Sequence, residues 1–346
     1  MISRLRRRAD GGRKDTVSGP TAAELAAARW RLPRSLDPAR NGKGAGWTLV
    51  GTAGSARATP VDAGGAVGGE GWTLDWAVGA DDRWHLPAQE ASVRQLLVEG
   101  TPVVETLLRV PGGDAVHRAY GARDAAGTEH VVVEVENRTS IPFALALVVR
   151  PIGLDGRGSA QRITVDAAGY DPGAQAPHVV RIDGRAVLLL PRRPARSAVG
   201  SHAEGDPMEL VMAGAAASGL GEALCDSGWA STALVLPLVH TAVLRVLLPI
   251  DAVDPSDGVD DPLRDQAPAV PQGLPESAAV VAGWQAQTAA VRISVPEARL
   301  AAAFDAGRSA LLLADHGVGP VDAAGQGLDR VDGMATALLL GALDET

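Results

Sequence analysis

Residues 130–151 read HVVVEVENRTSIPFALALVVRP. Two β-rich runs flank Asn137-Arg138-Thr139-Ser140, which carries turn chemistry. The stretch predicts a β-hairpin. The same pattern continues on both sides. Toward the N-terminus, residues 47–50, 93–98, 103–110 and 118–122 are strand candidates, and residues 63–71 form a glycine-rich loop. Trp72-Thr73-Leu74-Asp75-Trp76 alternates apolar and polar residues, as a half-buried strand does. Toward the C-terminus, residues 162–165, 178–182, 186–190, 208–212, 231–237 and 241–248 extend the series. Turn signals recur about every ten residues. That spacing predicts a mainly β fold, an antiparallel β-sandwich over residues 21–250, and not alternating strand and helix.

The pattern changes after residue 250. Residues 251–277 are rich in Asp, Pro and Gly and read as a linker. Residues 278–346 are expected to hold a last strand and then helices. Ser294-Val295-Pro296-Glu297 is a helix start, with a capping serine, a first-turn proline and a glutamate completing the capping box. Leu300, Phe304, Gly307 and Leu311 then share one helical face. A loop over 317–327 leads to a second helical run over 334–343.

The chain has 346 residues, which predicts two domains, and 46% hydrophobic residues, enough for a sizeable core. Aromatics are scarce: seven Trp against two Tyr and two Phe. A net charge of −9 argues against nucleic acid as a partner. Arg4, Arg6, Arg7, Arg8, Arg13 and Lys14 crowd into residues 1–20, which read as a disordered basic leader. Residues 21–30 have helix propensity. No apolar run follows the arginines, so the sequence predicts neither a secretory nor a twin-arginine signal. No stretch suits a membrane span. A lone cysteine, Cys225, excludes an internal disulfide framework and fits a reducing compartment, so the expected location is cytoplasmic.

Three stretches resemble one known group. VEVENRTSIPFALALVVRP is similar to paired strands of the N-terminal, supersandwich-like β-sandwich of certain glycoside hydrolases. The step from a Trp284-containing strand into the helix begun by Val295-Pro296-Glu297 resembles the entry into their (α/α)6 barrel. Leu328-Asp329-Arg330-Val331-Asp332-Gly333-Met334 resembles the loop opening their second barrel helix. The relatives are the glucoamylase, trehalase-like and glycogen-debranching groups. The resemblance implies that residues 278–346 contain the first two helices of an incomplete barrel. It also implies a carbohydrate partner, held by Arg330 and Asp332. Here Val331 separates the Arg and Asp that the family places side by side, and Leu328 stands where an aromatic is usual. The family's acid and base lie further into the barrel, so no catalytic residue is assigned. The completed enzyme would be an inverting glucosidase, in which one carboxylic acid protonates the leaving oxygen and another activates water. The chain as given is expected to be inactive.

The residues themselves point to few sites. A guanidinium and a carboxylate, as in Arg330 and Asp332, can bind vicinal sugar hydroxyls, or they can form a surface ion pair beside a helix start. Trp72, Trp76 and Trp84, in one stretch with His85, could stack on sugar rings, but the tryptophans are expected to fill the core. Asp81 and Asp82 are adjacent and read as a solvated turn, not an acid–base pair. The seven histidines, at 85, 117, 130, 178, 202, 240 and 316, are scattered, and no metal site or cofactor is expected. Cys225 reads as a small buried residue. Neither a Gly-x-Ser-x-Gly elbow nor a phosphate loop is present. Asn137-Arg138-Thr139 matches a glycosylation sequon that carries no weight without a signal peptide. Three functions are open. The first is the N-terminal part of a glycoside-hydrolase-like protein acting on glucosides or glucans. The second is a non-catalytic sandwich that binds a glycan or a protein. The third is a degenerate hydrolase that kept the fold and lost the chemistry. The first predicts an exposed apolar face on Leu300, Phe304, Leu311 and Leu338.

Overall fold

A computed structural model describes residues 47–55, 57–154, 156–167, 178–201, 205–217, 221–250, 271–289 and 296–314. The first strands are β1 (Trp47–Val50), β2 (Thr59–Asp62), β3 (Val67–Gly69), β4 (Trp72–Gly79) and β5 (Trp84–His85). A meander follows: β6 (Arg94–Leu97), β7 (Val103–Val110), β8 (Gly113–Arg123) and β9 (Glu129–Thr139). Next come β10 (Phe143–Arg150), β11 (Arg162–Ala167), β12 (His178–Ile182), β13 (Arg185–Leu190) and β14 (Arg196–Gly200). Helix α1 (Pro207–Met212) precedes β15 (Glu222–Leu224), β16 (Ser231–Leu238) and β17 (Val243–Pro249). Helices α2 (Ser277–Thr288) and α3 (Ala298–Ala314) complete the described elements.

These strands build two antiparallel sheets. Sheet A has eight strands in the order β1-β2-β3-β4-β10-β16-β14, with β5 paired to β4. Sheet B has nine, in the order β15-β11-β12-β13-β17-β9-β8-β7-β6. The mainly β, sandwich-like architecture expected from the sequence is therefore present. Alternation sets the faces. Val104, Leu108 and Val110 of β7 enter the core between the sheets, as do Leu74, Trp76 and Val78 of β4. Sheet A is covered on its outer face too, where Met208 and Val211 of α1 pack on Ala77, Ala146, Val148, Ala198 and Ala233. This cover explains why β4, expected to be half-buried, is buried on both faces.

The predicted hairpin over 130–151 is a corner instead. β9 pairs with β8 and β17 in sheet B, whereas β10 pairs with β4 and β16 in sheet A. The chain crosses from one sheet to the other through Ser140-Ile141-Pro142. Strands β16 and β17 make a second crossing beside it in the opposite sense, from sheet A to sheet B. Asn137 ties the two crossings together. Its amide N–H donates to Ala242 O and its carbonyl accepts from Thr241 N–H, both at 3.0 Å.

Two other segments differ from expectation. Residues 208–212, expected as a strand, belong to α1. Asp206 caps that helix by accepting from Met208 N–H at 3.0 Å, and Pro207 occupies its first turn. Trp284, which the resemblance put on a strand, belongs to α2. Its alanines and glutamines favour helix, and Val281 and Trp284 fall on one buried face. Helix α3 bears out the helical reading after Glu297. The rest of the expected barrel start, including the helix over 334–343, lies outside the described residues, as do the basic leader, the helix over 21–30 and the linker over 251–270. Among the described residues, no helix is long and apolar enough to cross a membrane.

Candidate functional site

The outer face of sheet B carries the densest organised chemistry. Glu105 on β7, Arg118 on β8, Glu134 on β9 and Arg245 on β17 are direct cross-strand partners in one row. Their charges alternate in sign across four adjacent strands. Arg118 Nε lies 2.7 Å from Glu105 Oε2, and its Nη2 lies 2.9 Å from Glu136 Oε2. Arg138 Nη2 reaches the same Glu136 oxygen at 2.9 Å. Arg245 donates to Glu134 Oε1 through Nε at 3.0 Å and Nη2 at 2.6 Å. Tyr120 Oη donates to that oxygen as well, at 2.7 Å. Opposite charges directly across a sheet contribute roughly 0.2–1 kcal/mol per pair.

Burial works to raise the Glu136 carboxyl pKa, but hydrogen bonds from Arg138 and Arg118 outweigh it and hold it below the usual glutamate range. The Tyr120 phenol is pushed up, first by burial and then by the Glu134 charge. Every charge in the row thus faces an opposite one. Such a surface fixes register and orientation; it does not present an acid and a base to a substrate.

Helices α2 and α3 cover one end of this face. Val281 of α2 sits among Val103, Tyr120, Ala122 and Val132. Tyr120 Oη also lies 3.4 Å from Pro275 O, and Glu276, at the N-cap of α2, has its carboxylate 4.0 Å from Arg245. The two helices clamp the turn Val98–Gly100. Gln285 of α2 hydrogen-bonds Glu99, and Ser309 of α3 donates to Gly100 O at 3.1 Å. Arg308 Nη1 joins α3 to the end of α2 by donating to Thr288 O at 2.6 Å. Buried Leu313 reaches the backbone at Gly51, beyond β1.

The residues singled out from the sequence separate clearly. Arg330 and Asp332 lie outside the described residues, as do Leu338 and His316. Trp72 and Trp76 are core residues and offer no ring to a ligand. Trp76 stacks on His117 at 5.1 Å between centroids and donates from Nε1 to Gly64 O at 2.9 Å. Trp84 is half-buried at the outer edge of sheet A. His85 is buried, with Asp82 Oδ1 at 2.9 Å from Nε2 and Glu90 Oε1 at 3.2 Å from Nδ1. Its ring separates the two carboxylates. Asp81 and Asp82 lie in an exposed turn, as expected. Cys225 is buried, with Sγ 3.1 Å from Ser227 Oγ. Among the described residues, no group of three or more His, Cys, Asp and Glu is placed to hold a metal ion.

The charged row was missed because its members come from four strands far apart in sequence. Its one local signal is Glu134-Val135-Glu136-Asn137-Arg138, where charges alternate with core residues. No family model matches the chain, and no curated protein matches it.

Proposed function

We propose that this chain is the sandwich-bearing, non-catalytic N-terminal part of a glycoside-hydrolase-like protein acting on glucosides or glucans. The observation that supports this reading is the junction on sheet B. The chain leaves the sandwich after β17 and returns as two helices that each hydrogen-bond the turn Val98–Gly100. A sheet whose outer charges neutralise one another is suited to carry a helical layer at a fixed angle. Leu300, 56% exposed on α3, is available to a further helix. In this reading the segment with Arg330 and Asp332 contributes sugar contacts and the acid and base come from beyond it. The test is hydrolysis of a panel of α-glucosides and glucans by residues 1–346 and by the full product of the reading frame. Turnover by the longer protein alone supports the reading. Turnover by residues 1–346, or by neither protein, overturns it.

A second reading, a self-sufficient sandwich that binds a glycan or a protein, is favoured by the burial of Val281, Trp284 and Leu313. It expects residues 1–346 to be monodisperse and to melt cooperatively. The first expects association through the uncovered part of α3, read by light scattering during a thermal melt.

A further inference from the structure

Three ionisable side chains are buried at α1 and the sheet face it covers: Asp75 of β4, Arg150 of β10 and the capping residue Asp206. Asp206 uses both oxygens. Oδ1 accepts from Met208 N–H at 3.0 Å, and Oδ2 accepts from Arg150 Nη2 at 3.1 Å. Strands β4 and β10 pair with Val148 opposite Asp75 and Arg150 opposite Thr73, so Asp75 and Arg150 are diagonal neighbours on one face. A further buried carboxylate, Asp62, ends β2 and accepts from the N–H groups of Gly64 and Ala66, both at 2.8 Å. Glu209, in the first turn of α1, is half-exposed. The Arg150 guanidinium acts on the Asp75 carboxyl against the repulsion of the Asp62 and Asp206 carboxylates.

We propose that Asp75, Arg150 and Asp206 form a proton-operated latch that holds α1 on sheet A, closed while Asp75 is protonated and loosened when Asp75 ionises. Arg150 bonds Asp206, whereas the Asp75 carboxyl accepts from the Trp76 N–H at 2.8 Å, so an ionised Asp75 is a buried negative charge without an ion-paired guanidinium of its own among the described residues. The Asp75 carboxyl is accordingly raised to about 7, chiefly by burial, against the lowering pull of Arg150 and with added repulsion from Asp62 and Asp206. Relief is easiest at α1. It is six residues long and is anchored through Met208 and Val211, whereas β4 and β10 are each hydrogen-bonded to strands on both sides.

The direction follows from linkage. Opening exposes Asp75 to water, where its pKa returns to 3.8, so opening releases a proton between 3.8 and about 7. The latch is tightest below that window, loosens about tenfold per pH unit as pH rises through it, and levels off above it.

Hydrogen exchange of the intact chain tests this. The amides of residues 208–212 and those of β9 are followed from pH 5 to pH 8.5 and expressed as protection factors. The α1 amides are expected to stay less protected than β9 at every pH, to lose about fiftyfold of protection between pH 5 and pH 7, and to change little above. Asp75→Asn, which mimics the protonated acid, is expected to flatten the profile. Flat protection in the native chain, protection equal to that of β9, or the same slope in Asp75→Asn would overturn the proposal. Two of these outcomes need no variant.

Discussion

Asn137 Nδ2 donates to the main-chain carbonyl of Leu238 at 3.0 Å, joining positions 101 residues apart. Its second amide hydrogen goes to Ile141 O at 3.0 Å, and Oδ1 accepts from the N–H and hydroxyl of Thr139, each at 2.8 Å. All four hydrogen-bonding positions of the carboxamide are therefore filled, in a fully buried residue. The side chain fixes both crossings between the sheets at once. It is also sealed from solvent, so the sequon formed by Asn137 and Thr139 offers no accessible acceptor.

Replacing Asn137 should be among the costliest single changes in the molecule. Asn137→Ala strips the Nδ2 donor from the buried carbonyl of Leu238 and the Oδ1 acceptor from the buried N–H of Thr139, while the Ile141 carbonyl keeps the Thr139 hydroxyl at 2.6 Å. At about 1–3 kcal/mol for each unsatisfied group, the loss should be roughly 2–5 kcal/mol. Asn137→Asp should cost at least as much, because the same carbonyls would face a buried carboxylate. Urea unfolding of the two variants against the parent measures both losses.

His117 should make the fold acid-labile. It is buried against Trp76, and burial lowers its pKa to about 3 from the ordinary 6.5. The unfolded chain takes up a proton on this residue below about pH 6.5 while the folded chain resists until about 3. Stability therefore falls as pH drops through that window and is fully present above it. Between pH 7 and pH 4 the His117 contribution should fall by roughly 3 kcal/mol. Urea midpoints of the parent and of His117→Gln across this range isolate it, since the variant should lack that part of the acid slope.

How far the sequence carries depends on what each residue pattern reports. Strands β7 and β12 are legible to the residue, because alternation bounded by turn residues is a local property. Pairing is not local. Asn137-Arg138-Thr139-Ser140 announces a reversal but does not say whether β10 returns to its own sheet or to the facing one. β10 is apolar at every position but Arg150, so neither of its faces marks itself as outside. The apolar run Met208–Met212 is short enough to read as strand or helix, and the deciding cue was the Asp206-Pro207 cap. The charged row on sheet B needs register across four strands, which no single segment contains.

That row predicts a contrast between two arginines of the same face. The Arg118 side chain is 12% exposed and contacts both Glu105 and Glu136. Arg118→Met leaves Glu105 without this partner and should cost about 2 kcal/mol. The Arg109 side chain is 67% exposed and pairs with Asp114 at 3.2 Å. Arg109→Met should change stability by less than about 0.5 kcal/mol. Paired denaturant melts decide whether burial, and not the number of ion pairs, governs this face.

The attachment of α2 and α3 to sheet B should fail before the sandwich does. Trp284 is the largest buried side chain on α2, and Thr288 Oγ1 closes that turn by donating to Trp284 O at 2.9 Å. Truncating a buried Trp to Ala removes about 3–5 kcal/mol, and α2 has Val281 as its other buried anchor. The strands beneath keep their own ladders and their core against sheet A, in which Trp284 takes no part. Trp284→Ala should therefore expose Arg308 to trypsin at least about tenfold faster while the sandwich melts within a few degrees of the parent. Proteolysis timed against a thermal melt makes the comparison. Loss of both together would mean that the helices belong to the sandwich core, which would favour the self-sufficient binding module over a platform for a helical domain.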